Sequence, residues 1–395
     1  MKTSITKSII CTVLSLFAMN YLSAQWVDQV GNGVATNYRS VHFTDDNNGV
    51  AVGETQVFSR TTDGGANWTA IAVGGCLHNY GVHFSGTNNG IAVGSAGTLF
   101  KTTDGGASWS AKTSGTTLDL NSVHLISTTR GIIVGGAGTI LKTTDGGETW
   151  SNVISGVTNN LIQVQFINSS IGFAIAETSG VIIKTIDGGD SWSTINSPGV
   201  IGMRAAYFLD ENTAYLSGAT TVFKTTNGGA DWSIVNYGMG ALMYAIHFTD
   251  VNNGYMAGQA GIVVETTDAG ATWTLTSTPT NFVNDILHAF SFPSSNVGYV
   301  VGYPTRILKK GTSTAEMDIE KLSNQFSIFP NPSAGKFNID SENLISKIEI
   351  INTLGQQVSF ENNNNEITLL NSEKGIYFVR MFADNKMNTQ KIVVE

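Results

Sequence analysis

Cysteine is almost absent: the 395-residue chain has two, Cys11 and Cys76. Charge is scarce too, at 13% Asp, Glu, Lys and Arg, about half the roughly 25% of an average soluble domain. Proline appears only 6 times, against 44 glycines. These shortages exclude a disulfide-stapled scaffold, a charge-rich disordered chain and a proline-rich one. The formal charge is −9 with no concentrated basic stretch, which argues against nucleic acid as a partner. Thr, Asn, Ser and Gly fill the polar positions instead, the composition of many short strands joined by tight turns.

Long apolar runs are missing apart from the first residues. Lys2 and Lys7, the apolar stretch Ile9 to Leu22, and Ser23-Ala24 read as a secretory signal over residues 1–24. The run falls short of the roughly 20 residues that span a bilayer, so no transmembrane segment is expected. Cleavage after Ala24 would leave Gln25 first. It would also remove Cys11, leaving one cysteine and no intramolecular disulfide, and take the two lysines, shifting the charge from −9 to −11.

One pattern returns six times: Thr61 to Trp68, Thr102 to Trp109, Thr143 to Trp150, Thr185 to Trp192, Thr225 to Trp232 and Thr266 to Trp273. Its tryptophans step by 41, 41, 42, 40 and 41 residues, a fixed period that signals a repeat architecture. Each unit holds four short β-branched or aromatic runs separated by Gly and Asn turns, the content of one four-stranded propeller blade. Trp26 lies 42 residues before Trp68, in register with the others. After Trp273 the strand pattern continues to Lys309 without a further tryptophan. The N-terminal segment around Trp26 is therefore expected to supply the outer strand of the last blade, closing a seven-bladed ring over residues 25–310.

These motifs fit the Asp box, [Ser/Thr]-x-Asp-x-Gly-x-x-Trp, with Asn227 for aspartate in blade five and Ala269 for the first glycine in blade six. Asp63, Asp104, Asp145, Asp187 and Asp268, with Asn227, read as acceptors for backbone N–H groups inside the hairpin turn. The arrangement resembles the photosystem II assembly and stability factors, grouped with the BNR-repeat propellers. That resemblance implies the fold and is nearly silent on function.

Composition shifts after Lys310. Residues 311–325 read as a linker, and residues 326–395 carry four ordered motifs: Phe326 to Pro332, Lys347 to Gly355, Gly375 to Arg380 and Lys391 to Glu395. They resemble the type A sorting domain of the type IX secretion system, which implies a small β-sandwich, the secretion machinery as a partner, and a secreted or surface-attached product. That export route is not part of photosynthetic machinery, so only the propeller shape carries over from the assembly factors.

The innermost strands contain no Asp or Glu, whereas glycosidase chemistry needs two facing carboxyl groups. Nearby loops offer Glu54, Asp119, Glu177 and Asp285, one each from four blades. Arg39, Tyr80, Asn121, Arg204, Tyr244 and His288, with Ile162, share one column at the entrance of the inner strands and form the candidate ligand-binding set. A second column, His42, His83, His124 and His247, reads as structural, and no metal or cofactor is expected. A third, Arg60, Lys101, Lys142, Lys184, Lys224 and Lys309, broken by Glu265, reads as lysines with solvated heads. The expected function is an exported, non-catalytic binding scaffold for a protein or glycan. The alternatives are a polysaccharide-degrading enzyme with loop-borne carboxylates, and a structural matrix or adhesion protein.

Overall fold

The computed structural model describes residues 26–29, 37–54, 57–75, 78–178, 180–276, 284–310, 326–341, 345, 347–352, 356–363, 365–370, 373–383 and 386–395. The expected signal peptide, both cysteines and the expected linker lie outside them. The chain divides into two compact units, residues 1–313 and 314–395.

The first unit contains seven antiparallel sheets of four strands each. Blade two shows the plan: Asn79–Ser85, Asn89–Gly94, Leu99–Thr102 and Ser110–Ala111 run in sequence from the inside outward. Burial follows the sequence pattern. Inner strands alternate between covered and half-covered residues, second strands are buried on both faces, and outer strands are mostly exposed. The second strands are accordingly near-continuous apolar runs, mostly bracketed by glycine or alanine.

The last sheet is completed from the other end of the unit. Trp26–Asp28 lies outside Arg306–Lys310, with Trp26 opposite Lys310 and Asp28 opposite Leu308. Ring closure packs the first and last blades face to face, covering the two sheet faces that an open stack would expose.

The apolar core is not central; it consists of seven wedges, each filled by two neighbouring blades. Val50, Val52 and Phe58 of blade one meet Val82, Phe84 and Phe100 of blade two, and the pattern repeats around the ring. Each Asp-box tryptophan plugs the wedge between its own blade and the one before, as Trp68 does against Phe43 and Tyr299. Trp26 does the same between blades six and seven. It is 0% exposed and its ring meets Tyr255 at 6.1 Å and Phe290 at 5.8 Å. The N-terminal strand thus replaces both the missing strand and the missing plug.

The Asp boxes bind their own turns. Asp145 Oδ1 accepts the N–H groups of Glu148 and Thr149 at 3.0 Å each, and Thr143 Oγ1 donates to it at 2.8 Å. Asp63, Asp104, Asp187 and Asp268 repeat this scheme. Blade five keeps the geometry by exchanging partners. Asn227 Oδ1 accepts the Asp231 N–H at 2.9 Å while Asn227 Nδ2 donates to Asp231 Oδ2 at 3.0 Å, the reverse of Asp63 with Asn67. In blade six Ala269 occupies the left-handed region at φ 56°, where the other boxes have glycine.

The second unit is a β-sandwich. One sheet contains Phe326–Phe329, Lys336–Ser341, Glu366–Leu369 and Phe360–Asn363; the other contains Lys347–Asn352, Gly375–Ala383 and Lys386–Val394. Phe337, Ile350, Val379, Met381 and Ile392 fill the space between them.

Candidate functional site

The inner strands share an irregularity that spacing alone does not reveal. In all seven, the pairing with the second strand skips one residue: Arg39, Tyr80, Asn121, Ile162, Arg204, Tyr244 and His288. A bulge leaves its extra residue unpaired and re-aims the side chain. The entrance column is therefore a ring of seven bulge residues, of which all but Arg39 line a central cavity of about 500 Å³. In six blades the opposing residue is glycine. Gly94 shows why: a Cβ there would stand 2.0 Å from the His78 carbonyl oxygen.

Four of these residues form a continuous arc across blades five, six, seven and one. The Arg204 guanidinium lies 5.5 Å from the centre of the Tyr244 ring. Tyr244 meets His288 edge-on at 5.4 Å, and His288 Nε2 lies 3.3 Å from Arg39 Nη1. Burial, then the Arg39 charge, pushes the His288 imidazole down to about 4, so it is neutral at pH 7 and accepts from Arg39. A carboxylate holds each end of the arc: Glu54 Oε1 accepts from Arg39 Nη2 at 2.8 Å, and Glu177 accepts from Arg204. Hydrogen bonds from Asn37 and Arg39 hold Glu54 below the usual carboxylate range.

Tyr80 stands apart from the arc, near-parallel to His78 at 6.2 Å. Asn121 is turned aside: its amide donates to Asn160 Oδ1 and Leu161 O at 2.8 Å each, tying blade three to blade four. The other loop carboxylates are also engaged. Asp119 accepts the Ala96 N–H at 2.9 Å, and Asp285, 4% exposed, accepts from Arg306 Nε at 2.5 Å.

Below the mouth lie the histidines. His42, His83 and His124 belong to consecutive blades and their rings are in contact, at 4.6 and 4.5 Å. His247 sits between Tyr207 at 5.0 Å and Phe292 at 4.8 Å. Burial holds His42, His124 and His247 down to about 4, with neighbouring His124 adding to the effect on His42. The inner strands of adjacent blades do not pair, so side chains satisfy their inward edges. His83 Nδ1 accepts the Leu125 N–H at 3.2 Å, and Gln165 and Gln163 bridge to the Phe208 and Ala206 backbones. Among the described residues, no group of His, Cys, Asp and Glu is arranged to hold a metal.

The basic column differs from the sequence expectation of solvated heads. Arg60 donates to Gly105 O at 2.8 Å, Lys224 to Ala269 O at 2.7 Å and Lys309 to Gly64 O at 2.9 Å. Lys101 and Lys142, each with a 10% exposed side chain, pair with Glu148 and Asp190 at 2.6 Å. Each of these five reaches the Asp-box loop of the next blade, so they latch the ring. That loop lies on the face opposite the mouth, beside the first hairpin turn of its own blade, as Gly64 N to Asn47 O at 2.9 Å records. The carboxylates of those first turns, Asp45 and Asp250, accept turn N–H groups, which makes them hairpin residues.

The model of the photosynthesis system II assembly factor YCF48 matches residues 71–156 and 226–331, and that of a secretion system C-terminal sorting domain matches residues 327–395. The chain is a β-propeller similar to the BNR-repeat assembly factors, with a tail similar to the type IX sorting domains. The tail marks this propeller for export to the cell surface or beyond and implies contact with the secretion machinery. Among solved structures, "YCF48 bound to D1 peptide" is 18% identical with a TM-score of 0.63, covering 73% of this chain and 97% of that one. YCF48 from Cyanidioschyzon merolae is 21% identical, TM-score 0.61, covering 73% and 99%. The Niastella koreensis GH74 enzyme is 13% identical, TM-score 0.59, covering 93% and 74%. At these identities the likenesses speak for the fold alone. No curated protein matches the sequence.

Proposed function

We propose that this exported propeller is a non-catalytic binding scaffold that holds a protein or glycan ligand at the channel mouth. The observation that carries the reading is the arc Arg204–Tyr244–His288–Arg39: four half-covered side chains in contact, set on bulges at the rim of a cavity. Guanidinium and phenol donors beside half-covered aromatic rings are the groups that dominate recognition surfaces.

The engaged carboxylates support the non-catalytic part. Glycoside hydrolysis needs a carboxylic acid that keeps its proton and a second carboxylate facing it. Glu54 and Glu177 are paired with arginines, Asp285 is paired and buried, and Asp119 caps a turn. One neighbour in the fold is named for a bound peptide and another as a glycoside hydrolase, so ligands of both classes belong in the test. The exported chain is to be screened against glycans and peptides with binding and product release recorded together. Binding without release, lost in Arg39→Ala and Tyr244→Ala, is the expected result. Product release that Asp119→Asn or Asp285→Asn abolishes would establish the enzyme instead.

A further inference from the structure

The charge balance of the mouth narrows the ligand. Its cations in the bulge ring, Arg39 and Arg204, are each matched by one carboxylate, Glu54 and Glu177. The side chains of these pairs are neither free nor sealed: 39% and 28% exposed for Arg39 and Glu54, 35% and 30% for Arg204 and Glu177. An anionic ligand would have to displace a carboxylate that already has its hydrogen bonds, and would then face it at short range, which costs affinity. A neutralised, partly exposed pair instead presents guanidinium N–H donors next to carboxylate acceptors. Hydroxyl groups, each both donor and acceptor, match that surface.

The ring faces complete the match. Tyr244, with Arg204 on one side and His288 edge-on to it, is one platform; Tyr80, near-parallel to His78, is another. An amphipathic ring with an apolar face and a polar tip suits a ligand with C–H faces and hydroxyl edges. The two tyrosines stand on blades two and six, so a single bound residue would not occupy both, whereas a chain would.

We propose that the mouth takes an uncharged saccharide chain, stacked on Tyr244 and Tyr80 and hydrogen-bonded through the Arg39–Glu54 and Arg204–Glu177 pairs. This rests on the reading of the mouth as the binding site. Neither ion pair is broken in the complex; the carboxylates accept from the sugar while they hold the guanidiniums. Affinity is therefore insensitive to salt, because no net charge is neutralised on binding.

The test uses the full exported chain, titrated calorimetrically with neutral hexasaccharides of glucose, mannose, xylose and galactose. Oligogalacturonate and oligomannuronate of equal length and a peptide library serve as the charged and protein alternatives. The expected result is binding of at least one neutral chain, with affinity changing less than about twofold between about 0.05 and about 0.5 M salt. Uronate chains should bind about tenfold more weakly or worse. Tyr244→Ala and the isosteric Glu54→Gln and Glu177→Gln should each weaken binding by about tenfold, with thermal midpoints confirming that each variant is folded. Preference for uronates with steep salt dependence would overturn the proposal, as would failure of every neutral chain to bind. Peptide binding abolished by the same variants would overturn the saccharide while leaving the mouth as the site. Binding that these variants leave untouched would overturn the location as well.

Discussion

At the residue scale, similar side chains serve different ends according to the groups around them. The Asp-box carboxylates are consumed by their turns, which lowers Asp104 and Asp268 to about 2. The channel histidines are held neutral by burial, at about 4 for His42, His124 and His247. The two groups set the pH response. Above pH 6.5 the imidazoles are neutral in both folded and unfolded chains. Below it the unfolded chain binds the proton first, so stability falls as pH drops from about 6.5 to about 4. Protonation of the aspartates then removes their contribution from about 4 towards about 2. Thermal melts across this range should show a two-stage decline, and His42→Gln with His124→Gln should flatten the upper stage. A midpoint constant from pH 7 to 4 would contradict the assignment. Ala269 offers a second test. Its left-handed backbone costs a side-chain-bearing residue roughly 1–2 kcal/mol, so Ala269→Gly should stabilise the fold by up to about 1 kcal/mol after the entropy cost of glycine. A lower midpoint would refute the strain.

At the element scale, the repeat was legible from the sequence because a blade is written locally: four runs, three turns and one tryptophan every 41 residues or so. Closure was legible because Trp26 kept that register. Trp26→Ala should cost about 3–5 kcal/mol, as expected for an aromatic lost from a packed wedge, and deletion of residues 25–30 should lower the midpoint further through the lost strand. An unchanged midpoint after the deletion would contradict closure. What escaped the sequence depends on through-space neighbours. Arg39 pairs with Glu54 of its own blade but Arg204 with Glu177 of the preceding one, so the column that holds the arc residues does not announce the carboxylates that hold its ends. The latch role of the basic column was hidden for the same reason: Lys142 finds Asp190 in the next repeat. The bulges did leave a trace, a glycine at or next to the end of six of the seven second strands, which for five of them becomes meaningful once the approaching carbonyl is seen.

At the scale of the whole molecule, the propeller spends its sequence economy on one face. Tryptophans, Asp boxes and lysine latches bind blade to blade and are nearly uniform around the ring. The bulge ring is not uniform: arginine, tyrosine, asparagine, isoleucine and histidine share one position. Such variety at a ring facing the channel mouth is consistent with the proposed recognition surface. The sorting tail places that surface outside the cell envelope or on it, where a partner would be met.

The most direct test compares the exported chain with its Tyr244→Ala variant, recording ligand binding and thermal midpoint on the same samples. The account predicts that binding falls by about tenfold or more while the midpoint stays within a few degrees, because Tyr244 is half-covered at the rim and outside the wedges. Binding unchanged by the substitution, or lost only together with the fold, would contradict it.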